Sequence, residues 1–174
     1  MRLFFGFDLP HDSKNAIAAW RDRFAIADGR PVPPANFHIT LAFLGELDHR
    51  LVEGLCESVD AGLDALPPEP QSLLLDRVGF WPAPAIFWLG TGSGAGEITT
   101  IARKLGTIGQ QFGARRDRRT YVPHVTLARQ CKTPPPAPLE APRIALSLEE
   151  FSLFESRSGR RGVVYEPLVN WRLA

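Results

Sequence analysis

Residues 37–45 read FHITLAFLG, and residues 122–129 read VPHVTLAR. In the first stretch the odd positions are Phe37, Ile39, Leu41 and Phe43, and the even positions begin with His38 and Thr40. Side chains alternate across a strand, so the odd residues predict a core-facing side. His38 and Thr40 then share the other face, about 7 Å apart. The second stretch repeats the arrangement, with Val125 and Leu127 on one side and His124 and Thr126 on the other. A single His-x-Thr is a three-residue pattern, more often structural than functional. Two copies, each on a strand-like run and each followed by Leu, point to chemistry.

The working outward from these strands gives an α+β chain. Residues 2–8 read as a buried strand and 11–26 as a helix, with Ile17, Trp20, Phe24 and Ile26 at near-helical spacing. Pro31, Pro33 and Pro34 mark a loop before the first His-Thr strand. Residues 47–66 read as a helix with Leu51, Leu55, Val59 and Leu63 on one stripe. Strands are expected over 72–81 and 84–92, joined by a turn near Pro82, then a helix over 96–112. An arginine-rich loop (114–120) leads into the second His-Thr strand. TPPPAPLEAP (133–142) is an extended connector, and strands over 143–154 and 162–172 close the chain. Strand 2–8, helix and His38 strand correspond to strand 84–90, helix and His124 strand. Such a duplication suggests two lobes related by a pseudo-twofold, with the imidazoles facing one cleft.

Length and composition fit one domain over residues 1–174: the chain is 44% hydrophobic and 22% charged. No apolar run is long enough for a membrane span, and the start MRLFFGFDLP, with Asp8, reads as a strand and not as a secretory signal. Two cysteines, Cys56 and Cys131, make neither a disulfide framework nor a zinc site, so a cytoplasmic location is expected. Net charge is only +1, but residues 1–87 carry 7 Lys and Arg against 12 Asp and Glu, and residues 88–174 carry 13 against 7. A polyanion meeting the C-terminal half would explain this asymmetry, and so would solvated loop arginines.

Two imidazoles and two hydroxyls suit hydrolysis of a phosphodiester. The attacking water must lose a proton and the leaving oxygen must gain one, and histidine does either near neutrality. One neutral and one protonated imidazole on opposite sides of phosphorus would serve an in-line displacement. Thr40 and Thr126 are suitable donors to the phosphoryl oxygens. Arg129 would add charge, although strict alternation puts it on the face opposite His124 unless a bulge intervenes. The residues themselves leave open which histidine is acid and which is base.

With RLFFGFDLP, VPPANFHITLAFLGEL, YVPHVTLAR and FSLFESRSGRRGVVYEPLVNW in view, the chain resembles, over nearly its full length, the two-histidine phosphoesterase superfamily. Within it the resemblance is to the RNA 2′,3′-cyclic phosphodiesterase / 2′-5′ RNA ligase family. It implies a bilobal fold of two pseudo-twofold-related antiparallel sheets, helices on the outer faces and a central cleft. It implies opening of RNA 2′,3′-cyclic phosphate ends to a 2′-phosphate, without metal or cofactor, and the capacity to join a 5′-hydroxyl end by a 2′-5′ bond. His38 becomes the proton donor, His124 the proton acceptor, Thr40 and Thr126 their partners, and Arg129 a phosphate-binding residue. A monomer is expected.

Other readings compete. A metal site at His38 and His124 lacks a third ligand at suitable spacing. GTGSGAGE (90–97) lacks the Gly-Lys-Ser/Thr ending of a P-loop and reads as a turn. An RNA-end binding module without turnover would need stacking aromatics; Phe80, Trp81 and Trp88 are candidates, with core packing the alternative fate. A phosphodiesterase acting on a small cyclic nucleotide is the third.

Overall fold

A computed structural model describes residues 1–173 of the 174. The elements run β1 (Arg2–Asp8), α1 (His11–Phe24), β2 (Arg30–Pro31), β3 (His38–Glu46), α2 (Val52–Gly62), β4 (Gln71–Leu75), β5 (Arg77–Trp81), β6 (Ile86–Gly90), α3 (Glu97–Gln111), β7 (His124–Arg129), β8 (Ile144–Leu148), β9 (Glu150–Gly159) and β10 (Gly162–Arg172). Two four-stranded sheets form, in the orders β10-β9-β1-β3 and β2-β7-β6-β5, with β4 and β8 as a separate pair. All their pairings are antiparallel. The architecture is α+β.

Each sheet contains the repeated unit, β1–α1–β3 in one and β6–α3–β7 in the other. The helices are exchanged between them. α3 lies under β3 of the first sheet, where Gly109 seats Leu44 and Gly106 faces Ala42. α1 reaches the second sheet: Arg21 and Ala25 line one crevice with Phe87 of β6 and Ala128 of β7. One apolar cluster therefore serves both sheets, running from Phe5, Phe7, Ile39 and Phe151 through to Leu89, Val125 and Leu127.

The chain departs from expectation at several joints. Residues 72–81 are two strands in different sheets, broken at Asp76, whose backbone N–H donates to Gly90 O (3.0 Å) and whose carboxylate accepts from the Gly92 backbone (2.7 Å). The span 143–154 likewise divides, β8 pairing with β4 and β9 with β1 and β10. α1 stops at Phe24, which leaves Ile26 exposed. Leu51 lies in the 3₁₀ turn before α2 and is exposed, while Leu55 and Val59 are fully buried.

The decisive departure is in β3. Gly6 pairs with Thr40 but Phe5 pairs with Ala42, so Leu41 is an inserted residue, and Leu44 is a second. Beyond an inserted residue the alternation inverts. Phe43, expected in the core, is 62% exposed, and Leu44 is buried instead. The same insertion recurs in β7: Trp88 pairs with Thr126 and Phe87 with Ala128, skipping Leu127. Both His-Thr strands carry a bulge one residue after the threonine.

Candidate active site

Strand pairing fixes which side chains share the non-core faces. Thr40 stands opposite Gly6 and His38 opposite Asp8, while Thr126 stands opposite Trp88 and His124 opposite Gly90. β3 and β7 approach within 8 Å between Cα atoms. The two His-Thr pairs therefore meet across one cleft between the sheets. Tyr121, just before β7, donates its hydroxyl across this gap to the backbone carbonyl of Thr40 (2.9 Å). Burial raises the Tyr121 pKa, keeping the phenol a donor.

Each imidazole is anchored in the same way. His38 Nδ1 lies 2.7 Å from Asn36 O, and His124 Nδ1 lies 2.8 Å from Val122 O. A carbonyl only accepts, so Nδ1 carries the proton in both rings and Nε2 is left as the reactive nitrogen. The Thr40 hydroxyl donates to His38 Nε2 at 3.1 Å. Aromatic rings stand edge-on to each imidazole: Tyr165 to His38 at 4.7 Å and Trp81 to His124 at 4.6 Å between centroids. Phe4, Phe154 and Trp88 are buried yet lie outside the core cluster, flooring the cleft on the opposite faces of the sheets.

The bulge at Leu127 settles where Arg129 falls. Skipping one residue returns Arg129 to the face of His124 and Thr126, and its positive charge acts on both histidines. Burial pushes the His38 pKa down to about 4; its bond to Asn36 O opposes this, and the charges of Arg129 and His124 add to it. His124 is lowered as well, first by burial, with Arg129 and Arg119 contributing. Both rings are thus neutral at pH 7 in the free protein. An anion placed between the rings would raise both pKa values by offsetting the arginine charges.

The sequence did not reveal Tyr121, Tyr165 or Arg21. Arg21 is 8% exposed and donates from Nη1 to Val32 O (2.6 Å) and to Leu127 O (3.1 Å), the carbonyl of the bulged residue. Its guanidinium also lies over Phe37, the residue before His38, at 5.1 Å. The available signal was a charged residue four positions after Ile17 on the apolar stripe of α1. Nothing local marks Tyr121. Of the arginine-rich loop, Arg119 is held by Asp117 (2.7 Å), while Arg115, Arg116 and Arg118 are exposed. Among the described residues no three His, Cys, Asp or Glu converge as a ligand set. Phe80 packs against the core, Trp88 is buried in the cleft floor and Trp81 is half-buried beside His124.

The fold is a duplicated α+β unit whose two halves set two carbonyl-anchored His-Thr pairs and an arginine around one cleft. The family model "LigT like Phosphoesterase" matches residues 7–88 and again 89–165, one match for each half. The chain belongs to this LigT-like phosphoesterase family. It is 33% identical over 173 residues to a protein of Escherichia coli named RNA 2′,3′-cyclic phosphodiesterase, covering 99% of this chain and 96% of that one. A protein of the same name from Thermus thermophilus is 27% identical, with 99% and 90% covered. The crystal structure of E. coli LigT complexed with 3′-AMP superposes with a TM-score of 0.86 at 32% identity, covering 99% of this chain and 97% of that one. The same protein complexed with phosphate gives 0.80 at 30% identity, covering 99% and 96%.

Proposed function

We propose that this protein hydrolyses RNA 2′,3′-cyclic phosphate ends to 2′-phosphates by metal-independent acid–base catalysis. The observation that carries the reading is the pair of Nδ1-anchored imidazoles, each beside a threonine, facing one cleft; the relatives named for this activity support it. Water enters beside His124, which takes its proton on Nε2. The P–O3′ bond breaks as P–O(water) forms, and protonated His38 delivers a proton to O3′. Thr40, Thr126 and Arg129 hold the phosphoryl oxygens. The same displacement with a 5′-hydroxyl in place of water yields a 2′-5′ bond without ATP. We place the enzyme in the cytoplasm as a monomer, one two-lobed domain. No helix among the described residues is long and apolar enough to cross a membrane.

Incubation with an oligonucleotide ending in a 2′,3′-cyclic phosphate, and identification of the product terminus, tests the activity. Turnover should persist after dialysis in excess EDTA; loss of activity that zinc or magnesium restores would exclude the metal-free mechanism.

The lowered histidine pKa values set the pH dependence. The acid must be protonated, and in the free protein that form becomes scarcer as pH rises above both pKa values. kcat/KM should therefore fall with pH through the neutral and alkaline range. The bound phosphate anion raises the imidazole pKa, so the alkaline limb of kcat should lie at higher pH than that of kcat/KM. Coincident limbs would mean that the anion does not lie between the rings.

Neutralising Arg115, Arg116, Arg118 and Arg119 together should raise KM for a long RNA more than for a cyclic mononucleotide, and should flatten the salt dependence of RNA binding. Equal effects on the two substrates would reduce the loop to a solvated surface.

A further inference from the structure

We infer that Trp81, backed by Trp88, forms a stacking subsite for the nucleobase of an incoming 5′-hydroxyl strand on the His124 side of the cleft. This rests on the acid and base roles proposed above. In-line displacement puts the attacking oxygen opposite the departing O3′. The terminal ribose and its base stay with O3′, on the side of His38. Whatever lies beyond His124 therefore borders the attacking group and not the terminal nucleoside.

That border is more than a prop for the imidazole. Trp81 is half-buried, edge-on to His124, and lies outside the core cluster. Trp88 lies tilted against it at 4.9 Å between centroids. The pairing register puts Gly79, Trp81, Trp88 and Gly90 on one face. A Cβ at Gly79 would overlap the Trp88 ring, and one at Gly90 would come within 2.7 Å of it, so two positions are kept bare to seat this indole flat. Trp88 is 8% exposed, and its Nε1–H is the one buried side-chain donor among the described residues with no acceptor. Water as nucleophile needs neither indole. A nucleobase offers an aromatic face to the partly exposed Trp81 ring, which Trp88 holds in place from behind. The neighbouring segment Ala114–Arg119 carries four arginines against one aspartate, and the Arg119 charge reaches His124, as suits the backbone of a second strand.

The test is a partition experiment. The phosphoryl donor is a 5′-phosphorylated RNA ending in a 2′,3′-cyclic phosphate, and the acceptors are adenosine and methyl β-riboside, which has the 5′-hydroxyl but no base. The ratio of 2′-5′ transfer to hydrolysis is read in one tube, so a general loss of His124 support cancels. Stacking on an aromatic ring changes base binding by about 5- to 150-fold. The wild-type ratio should favour adenosine by about tenfold or more, W81A should lose this advantage, and W81F should keep most of it. Equal ratios for the two acceptors in the wild type, or an undiminished ratio in W81A, would overturn the subsite. A raised KM for hydrolysis in W81A with an unchanged ratio would move Trp81 to the departing nucleoside. A wild-type protein that opens no cyclic phosphate at all defeats the proposed activity instead, and an adenosine-induced shift of the Trp81 indole proton then decides the subsite alone.

Discussion

His124→Ala should lower kcat/KM on a 2′,3′-cyclic phosphate by about 10²–10⁴-fold, the usual contribution of one positioned proton transfer, and His38→Ala by a similar factor. The two variants should part on a nitrophenyl phosphodiester. Its leaving group departs as a stable anion and needs no proton, so His38→Ala should retain most of the wild-type rate on that ester. His124→Ala should stay impaired on both substrates, because water must still be activated. Both imidazoles hang from backbone carbonyls by Nδ1 and are half-buried, so circular dichroism should show each variant folded. The reverse pattern would exchange the acid and base roles. A loss below about tenfold for either variant on the cyclic phosphate would remove that histidine from the mechanism.

Arg21→Met should destabilise the protein by about 3 kcal/mol, read as a lower urea midpoint at unchanged slope. The methionine fills the apolar part of the space but leaves Val32 O without its charged donor and Leu127 O with only the Val32 backbone N–H. The guanidinium also packs over Phe37, so the substitution loosens the approach to His38 as well. Because Leu127 is the residue whose insertion turns Arg129 toward the cleft, kcat should fall even where the variant is fully folded. A destabilisation below about 1 kcal/mol would mean that water replaces the guanidinium at both carbonyls.

Much of this architecture was legible in the two quoted stretches. Period-two alternation alone puts His38 with Thr40 and His124 with Thr126, and the pairing register bears this out. Alternation failed where one residue is inserted. Leu41 and Leu127 look like any other core leucines in sequence, and only the hydrogen-bond register of the neighbouring strand shows that they are skipped. That is why Phe43, expected inward, is exposed, and why Arg129 reaches the face of His124 only through the kind of bulge that its place at the site requires. Strand breaks at Asp76 and at Glu149 were hidden for a related reason, since apolar runs continue across them while the pairing partner changes. Helical stripes located α1 and α3 to within two residues at either end. A stripe says that a helix is covered and is silent about which sheet covers it, so the exchange of helices between the repeats had no signature. Tyr121 belongs to the same class: its bond to Thr40 spans 81 residues.

The exchange of helices bears on how the chain is made. A ribosome delivers α1 well before β7, but one of the two carbonyls that anchor Arg21 belongs to Leu127, 106 residues further along. β3 emerges before α3, its cover, and the sheet it edges is completed only by β9 and β10 at the far end. Neither half of the nascent chain thus holds a finished core while synthesis continues. Loops of this length close slowly, and the contacts that reward closure come last. The apolar faces of the first repeat are covered in full only once α3, β9 and β10 are in place, so this duplicated protein should fold as one unit instead of one repeat at a time.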